Sequence, residues 1–429
     1  MEEIVLRNEF IKLGQAIKAA GLVESGVEAK IVIQDGEVKV NGVVETQRGK
    51  KLFGGEVVEY NGSSILMIVE SVELKDFRNY EFLDMNFNEH VNIIYGDNAQ
   101  GKTNILESIY MCSTSKSHRG SKDREIVRFG EDESHIKLNV LKHGMKYRID
   151  MHLKKNKTKG IAVNGIPIKK AVELFGIINI VFFSPEDLNI IKNGPSERRR
   201  FMDMELSQLD KIYLSNLVNY NKVLNQRNKL LKDIAFSPSE QLMQTLDIWD
   251  MQLVKYGSLI IKGRKSFIEK INTIISDIHS RLTGGIENIK VCYVPDVDVN
   301  DFEEEVRNSR QKDIKYKVTG KGPHKDDLIF LINDNDVRKY GSQGQQRTAA
   351  LSLKLSEIEL VKLVIKDTPV LLLDDVLSEL DSNRQNFLIN SIGDIQTIVT
   401  CTGLEEFINN RMNINKIFKV TDGHVVNEN

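Results

Sequence analysis

From residue 10 to 21 the apolar residues Ile11, Leu13, Ala16, Ile17 and Ala20 fall at helical spacing. Residues 26–33 suggest a second short helix, after a break at Gly21. Period-two alternation then runs through Val38, Lys39 and Val40 into Asn41-Gly42 and out through Val43-Val44, a β-hairpin signal. Residues 54–60 add another strand. Asn61-Gly62-Ser63-Ser64 reads as a junction. Met67 then opens what looks like a second beginning, as if two ancestral genes were fused there.

Residues 68–74 alternate as a strand, and a second strand follows. Residues 91–95 are apolar except for Asn92, which suits a buried strand. Residues 136–153 and 161–168 read as hairpins, the second turning at Asn164-Gly165. Residues 177–183 again suit a buried strand. Ser184 and Pro185 supply the cap and first position of a helix. Asn193-Gly194-Pro195-Ser196 breaks that helix, and Glu197 opens the next. Glycine then becomes scarce. Leu206, Leu209, Ile212, Tyr213, Leu217, Leu224, Leu230 and Leu231 keep helical spacing. After Ser237-Pro238-Ser239-Glu240 the pattern resumes through Leu253, Ile260, Ile261, Phe267, Ile271 and Ile275, until Gly284-Gly285 stops it. Two long antiparallel helices are expected, each roughly 45–65 Å at about 1.5 Å per residue, forming a helical arm or lid. Residues 289–294 and 314–318 return to strand character. The expected class is α/β, with a small α+β module at 1–62, a head at 67–203 interrupted by the arm at 204–285, and the rest of the head at 286–429.

Composition adds three constraints. The chain of 429 residues carries 59 basic and 61 acidic side chains, so no global basic field exists and nucleic-acid contact needs a local patch. Residues 1–62 hold eight Lys or Arg against ten Asp or Glu, a net of −2. Cys112, Cys292 and Cys401 lie too far apart for a metal-ligand or disulfide pattern, as in a reducing interior. The start lacks a signal peptide's pattern, and no apolar run approaches membrane-spanning length. A cytoplasmic protein without a membrane partner is the expectation.

The chemistry centres on Gly96-Asp97-Asn98-Ala99-Gln100-Gly101-Lys102-Thr103, a full G-x-x-x-x-G-K-[ST] between a buried strand and a helix. The glycines let backbone N–H groups and the helix N-terminus approach phosphate oxygens. Lys102 would reach the β- and γ-phosphates of ATP, and Thr103 would ligate Mg²⁺. The apolar residues 370–373 end in Asp374-Asp375. Such a strand is expected beside the phosphate-loop strand, with Asp374 holding Mg²⁺ and Asp375 polarising the attacking water. The catalytic candidates are therefore Lys102, Asp374 and Asp375. His324, followed by Asp326 and Asp327, lacks the spacing of a standard metal site, so a loop held by hydrogen bonds is expected there.

Several stretches resemble known families. The two-helix start, Val38-Lys39-Val40-Asn41-Gly42 and Gly55-Glu56-Val57-Val58 resemble the S-four-type RNA-binding domain. That resemblance makes Lys39, Arg48, Lys50 and Lys51 candidate RNA contacts; the alternative is a solvated surface on a small packing or partner-binding domain. Gly341-Ser342-Gln343-Gly344-Gln345-Gln346-Arg347, opening a helix over 348–363, resembles the signature loop of ABC-type ATPases, with Gln343 departing from the usual glycine. Ser378-Glu379-Leu380-Asp381 resembles their dimer-contact loop. The resemblance implies that Ser342, Gln343, Gly344 and Gln345 grip the γ-phosphate of a partner's ATP.

Roughly 245 residues separate Gly96 from Ser342, a split seen in the chromosome-maintenance branch. Lys75-Asp76-Phe77-Arg78-Asn79-Tyr80, Phe183-Ser184-Pro185-Glu186-Asp187-Leu188, Arg198-Arg199-Arg200-Phe201, Gly322-Pro323-His324-Lys325-Asp326-Asp327 and Ser342-Gln343-Gly344-Gln345 together resemble the RecF family. This implies an ATP-dependent homodimer on single-strand/double-strand DNA gaps or junctions, helping RecO and RecR to load RecA in the response to DNA damage. Lys116, Arg119, Arg198, Arg199 and Arg200 are the DNA candidates; the three consecutive arginines have pairing with acids as their alternative. The ABC switch histidine is missing, with Cys401 or Thr402 in its region, and the usual catalytic Glu is the shorter Asp375. Slow turnover, suited to a switch, is expected. The rival function is an RNA- or ribosome-associated ATPase switch that uses the first module.

Overall fold

The computed structural model describes residues 11–19, 26–36, 38–40, 43–52, 58–60, 67–142, 144–393, 395–403 and 414–428. The chain divides into two compact units, Met1–Leu66 and Met67–Asn429.

In the first unit, helices Leu13–Ala19 and Gly26–Gln34 cover a small sheet in which Val38–Val40 pairs with Val43–Val44 and Val58–Tyr60. Leu13, Ile17, Ala29, Ile33, Val38 and Val40 make its core. The first helix starts at Leu13 because Ile11–Lys12 pairs instead with Lys51–Leu52. The expected turn residues Asn41-Gly42 and the strand start at 54–57 lie outside the described residues.

The second unit begins with β1 (Ile68–Phe77), β2 (Tyr80–Asn86), β3 (Val91–Tyr95) and α1 (Lys102–Thr114). Next come β4 (Glu133–Lys142), β5 (Met145–Lys154), β6 (Gly160–Val163), β7 (Ile166–Pro167) and β8 (Ile180–Phe183). Helices α2 (Pro195–Leu209), α3 (Lys211–Phe236) and α4 (Glu240–Thr283) follow. The remainder holds β9 (Ile289–Val294), α5 (Phe302–Tyr316), β10 (Asp327–Ile332), α6 (Gln343–Ile365), β11 (Val370–Asp374), α7 (Ser382–Ile392), β12 (Thr397–Cys401), β13 (Lys416–Thr421) and β14 (His424–Glu428).

Two six-stranded sheets enclose the phosphate-loop helix. One is antiparallel, ordered β7-β6-β5-β4-β1-β2; the other is ordered β8-β11-β12-β3-β13-β14 and is parallel up to its last pair. Helix α1 is buried at every position from Ile105 to Thr114, because apolar faces of both sheets close on it. The β6–β7 turn has Asn164 at φ 52° and Gly165 at φ 79°, the conformation that Asn-Gly favours in a two-residue hairpin.

The long helices start and stop where local chemistry dictates. Ser239 accepts from the Leu242 N–H at 3.2 Å at the start of α4, and Gly284 ends it at φ 64°. They do not form a free arm along their whole length. Helix α4 packs on α6 and β9, and its Ile260, Ile271 and Ile275 join one core with Ile289, Phe330 and Leu353. Gly257 allows the close approach of α5, since a Cβ there would stand 2.4 Å from the Phe302 ring. The strand expected at 314–318 is instead the end of α5, closed by Lys317 at φ 59°. Its Ile314 packs against the cluster of Leu230, Leu231, Ile234 and Leu246, and that burial outweighs local alternation. Among the described residues no helix is long and apolar enough to cross a membrane.

Candidate nucleotide site

The loop from Gly96 to Thr103 wraps between β3 and α1 with Gly96 at φ 151°, Ala99 at φ 64° and Gly101 at φ 108°. A Cβ on Gly96 would lie 2.3 Å from the Val420 carbonyl oxygen, and one on Gly101 would lie 2.5 Å from the Asn79 amide. Both glycines are therefore required by conformation and by space. The Lys102 ammonium is buried and donates to the carbonyls of Gly96 at 2.6 Å and Asp97 at 2.8 Å. Burial pushes it below the ordinary lysine range, against the opposing charges of Asp375, Asp374 and Asp97.

Thr103 Oγ1 donates to Asp374 Oδ1 at 2.7 Å, although 271 positions separate them in the chain. Two hard oxygen donors side by side at the foot of a phosphate cradle fit Mg²⁺. The strand carrying Asp374, expected beside the phosphate-loop strand, is not adjacent to it. β12 lies between them, pairing with β11 on one side and β3 on the other. Its Thr400 joins the site, with no local sequence signal to mark it. Thr400 Oγ1 donates to Asp374 Oδ1 at 2.8 Å and accepts from the Asp375 N–H at 3.1 Å. Thr402, one of the two residues expected in that region, is exposed. Burial pushes the Asp374 carboxyl up, against the hydroxyls of Thr103 and Thr400 that favour the carboxylate. Asp375 sits at φ 52°, an uncommon conformation for a non-glycine residue, and accepts from Ser378 Oγ at 3.2 Å.

The β1–β2 turn holds the loop from outside. Asn79 donates to the Gln100 carbonyl at 2.9 Å and accepts from Asn104 at 2.8 Å. Arg78 forms a bidentate pair with the buried Glu107 of α1, at 2.9 and 2.7 Å. Burial alone would raise the Glu107 carboxyl; Arg78 and Ser117 outweigh it and hold it below the usual range. These contacts give Arg78 and Asn79 of the Lys75–Tyr80 motif a role in holding the loop.

Beside them His118 lies against Phe182, centroids 4.2 Å apart and planes tilted by 31°, with its Nδ1 buried and without a hydrogen bond. Burial pushes it down to about 4. A histidine kept neutral in the fold but titrating near 6.5 when unfolded costs stability as pH falls from about 6.5 to about 4. His118→Phe should flatten that part of the stability–pH curve, measured by urea unfolding at pH 7, 6 and 5.

The signature turn occupies the start of α6. Ser342 is the N-cap, accepting from the Gln345 N–H at 3.2 Å, while its own N–H donates to Gln345 Oε1 at 2.9 Å. The helix thus begins at Gln343, five residues before its expected start, and Ser342, Gln343 and Gly344 are exposed. Gln345 also donates to Glu287 at 2.9 Å. Among the described residues, no hydrogen bond of Ser342 or Gln345 reaches the phosphate loop of the same chain. Asp381 caps α7, and its partner Arg384 donates to Thr348 Oγ1 at 2.6 Å, joining the dimer-contact loop to the signature helix.

Comparison with known proteins decides the family. A family model described as AAA domain matches residues 71–422, and one described as S4 domain matches 4–68. The DNA replication and repair protein RecF of Agathobacter rectalis is 62% identical over 359 residues, 84% of this chain and 99% of that protein. The chain belongs to the RecF family. The RecF of Clostridium botulinum is 45% identical over 369 residues, again 84% of this chain and all of the relative. A solved structure of the recombination mediator protein RecF with ATP, in the RecFOR pathway, matches with TM-score 0.80 and 36% identity, over 86% of this chain and 100% of that one. An Smc head domain from Pyrococcus furiosus, at 16% identity and TM-score 0.50, shares the fold alone. The second unit thus has the fold of an ABC/SMC-type ATPase head.

Within this RecF-family head the five candidate DNA residues separate. Arg198 is 2% exposed, paired with Asp327 at 2.6 and 3.0 Å and donating to the Asn193 carbonyl at 2.7 Å. It is not a DNA contact but a buried tie between α2 and β10, because Asp327 comes to meet it from a distant part of the chain. Arg199 is half-buried and donates to the Asp326 carbonyl at 2.8 Å. Arg200 is exposed and reaches the carbonyls of Ser117 and His118. It stands with exposed Lys116 and Arg119 around one loop, and Arg119 also donates to Asn104 at 3.4 Å, beside the phosphate-loop helix. His324 is held as expected of a structural loop, Nδ1 accepting from Tyr220 Oη at 2.7 Å and Nε2 donating to the Thr319 carbonyl at 3.0 Å. In the S4 unit Lys39, Arg48 and Lys51 are exposed, while Lys50 pairs with Glu45 at 2.9 Å.

Proposed function

We propose that the chain is an ATP-gated DNA clamp of replication and recombinational repair, working in the cytoplasm with RecO and RecR to load RecA at gaps or junctions. The observation that carries the reading is the signature turn. Ser342 presents an exposed helix N-terminus whose bonds, among the described residues, stay away from its own phosphate loop, which supports a reading in which it meets the ATP of a second copy. Two heads would then close over two nucleotides and part after hydrolysis.

The residues divide the work. Lys102 exchanges its two loop carbonyls for phosphate oxygens. Thr103 and Asp374 would hold Mg²⁺, which would neutralise phosphate charge. Asp375 takes the proton of the attacking water on its carboxylate. Thr400 keeps both acids oriented from β12. A carboxylate one methylene shorter than the usual Glu, with no histidine sensor in the region of Cys401 and Thr402, makes turnover slow. Lys116, Arg119 and Arg200 contact DNA phosphates, and the S4 unit supplies an RNA-binding surface through Lys39, Arg48 and Lys51.

Sedimentation with and without ATP-Mg²⁺ and gapped DNA tests the reading. The wild-type chain should dimerise on ATP and hold gapped DNA. Ser342→Ala should still bind ATP as a monomer, and a combined Lys116, Arg119 and Arg200 change to Ala should lower the salt slope of DNA binding by about 2–3. A chain that stays monomeric with ATP and ignores gapped DNA overturns the proposal. The match to an S4 domain favours a second reading, an RNA-associated switch; binding of structured RNA in place of gapped DNA would select it.

A further inference from the structure

The outer face of the antiparallel sheet carries a group of side chains that the nucleotide chemistry leaves unused. In the β4–β5 pair His135 stands directly opposite His152, and Glu133 directly opposite Lys154. Alternation along both strands puts Glu133, His135 and His152 on the outward face, while Ser134, Ile136, Met151 and Leu153 point into the core. The two imidazoles stack with centroids 4.0 Å apart and planes at 21°. Glu133 Oε2 lies 2.6 Å from His152 Nε2, and Glu133 Oε1 lies 3.2 Å from the Lys154 ammonium. One ligand atom from each of Glu133, His135 and His152 falls within 4.8 Å of the others.

Two features distinguish this group from a solvated patch. The first is the donor set. Two imidazole nitrogens and one carboxylate oxygen suit borderline cations such as Zn²⁺ and Ni²⁺, whereas Mg²⁺ and Ca²⁺ select oxygen. The second is the scaffold. Ten consecutive pairs lock β4 against β5, and the buried inner face forbids a one-residue slip, so the two histidines cannot drift apart along the strands.

We infer that Glu133, His135 and His152 form a surface site for a Zn²⁺-class transition cation, bridging β4 and β5 on the head. Side-chain rotation about χ angles free to move in solvent brings the three donors to bonding distance, and water completes the coordination shell. The cation takes the position of the proton shared by Glu133 Oε2 and His152 Nε2, and that proton leaves to bulk water. Lys154 keeps Glu133 Oε1. The site does not touch the phosphate loop, so the inference stands independently of the clamp proposal.

Competition for Zn²⁺ between the full chain and a chromophoric chelator, in excess Mg²⁺, tests it. One equivalent should bind to the wild type and to Lys102→Ala alike. His135→Ala and His152→Ala should each lose that equivalent, and the milder Glu133→Gln should weaken it about tenfold. Unchanged stoichiometry and affinity in all three ligand variants, or no bound equivalent in the wild type, overturns the site. Urea unfolding of each variant without metal identifies any loss of fold, and Glu133→Gln keeps the test decisive if a histidine variant misfolds.

Discussion

Lys102→Ala is expected to weaken ATP binding about a hundredfold while leaving the chain no less stable. The two effects separate because the ammonium has different partners in the two states. Without nucleotide it is buried against the carbonyls of Gly96 and Asp97, and burial lowers its affinity for a proton, so the fold gains little from the charge. With nucleotide it faces phosphate oxygens, and loss of charge-assisted hydrogen bonds costs about 3 kcal/mol, which is about two decades in Kd. Hydrolysis should fall further than binding, because charge develops on those oxygens as the γ-phosphoryl departs. Calorimetric ATP titration beside a thermal melt checks both halves. A melt lowered in step with affinity would mean that Lys102 is chiefly a structural residue of the loop.

Lys354→Met is expected to be the most destabilising single change outside the apolar core, at about 3–5 kcal/mol. Lys354 lies on α6 and is 5% exposed; Glu357 beside it is 1% exposed and Glu205 of α2 is 7% exposed. Its ammonium donates to Glu357 Oε2 at 2.5 Å and lies 5.9 Å from the ring centres of Phe183 and Phe201. Asp187 adds a third acid to its field. Burial pushes Glu205 up to about 7 even with Lys354 present, and pushes Glu357 well above the usual range. Methionine replaces the aliphatic volume, so the loss is electrostatic: three acids remain in a site that solvates none of them. Carboxyls with raised folded pKa are most compatible with the fold when protonated, and their contribution is lost as pH rises from about 4.5 through about 7. The Lys354→Met deficit should therefore be larger at pH 8 than at pH 6 in urea unfolding. An equal deficit at both values would point to packing. Because Lys354 of the signature helix sits over the rings of Phe183 on β8 and Phe201 on α2, the variant should also lose ATP-dependent dimers before it loses ATP binding.

Local chemistry determined much of this protein. The phosphate loop is legible because its backbone shape demands glycine at 96 and 101, and nothing distant is needed to see that. The hairpin at Asn164-Gly165, the caps at Ser184, Ser239 and Ser342 and the stop at Gly284 follow from bonds made within a few residues. Asp374-Asp375 is legible because an apolar strand ending in two acids has few uses behind such a loop.

Tertiary structure decided the rest, wherever a residue's role depends on a partner far along the chain. Strand order has no local signature, so the insertion of β12 between β11 and β3, and with it the role of Thr400, emerged only from pairing. The run Arg198-Arg199-Arg200 reads as one basic surface, yet helix α2 turns its first member inward to meet Asp327 and its third outward to the loop at 117–118. Alternation at 314–318 mimics a strand, and only the cluster around Leu230 shows why α5 runs to Tyr316. Lys354 looks like an ordinary polar position until its helix is buried, and His135 and His152 meet only through the register of β4 and β5. Short-range bonding writes turns, caps and phosphate loops into the sequence; burial and register depend on the whole chain's packing and appear only when it has folded.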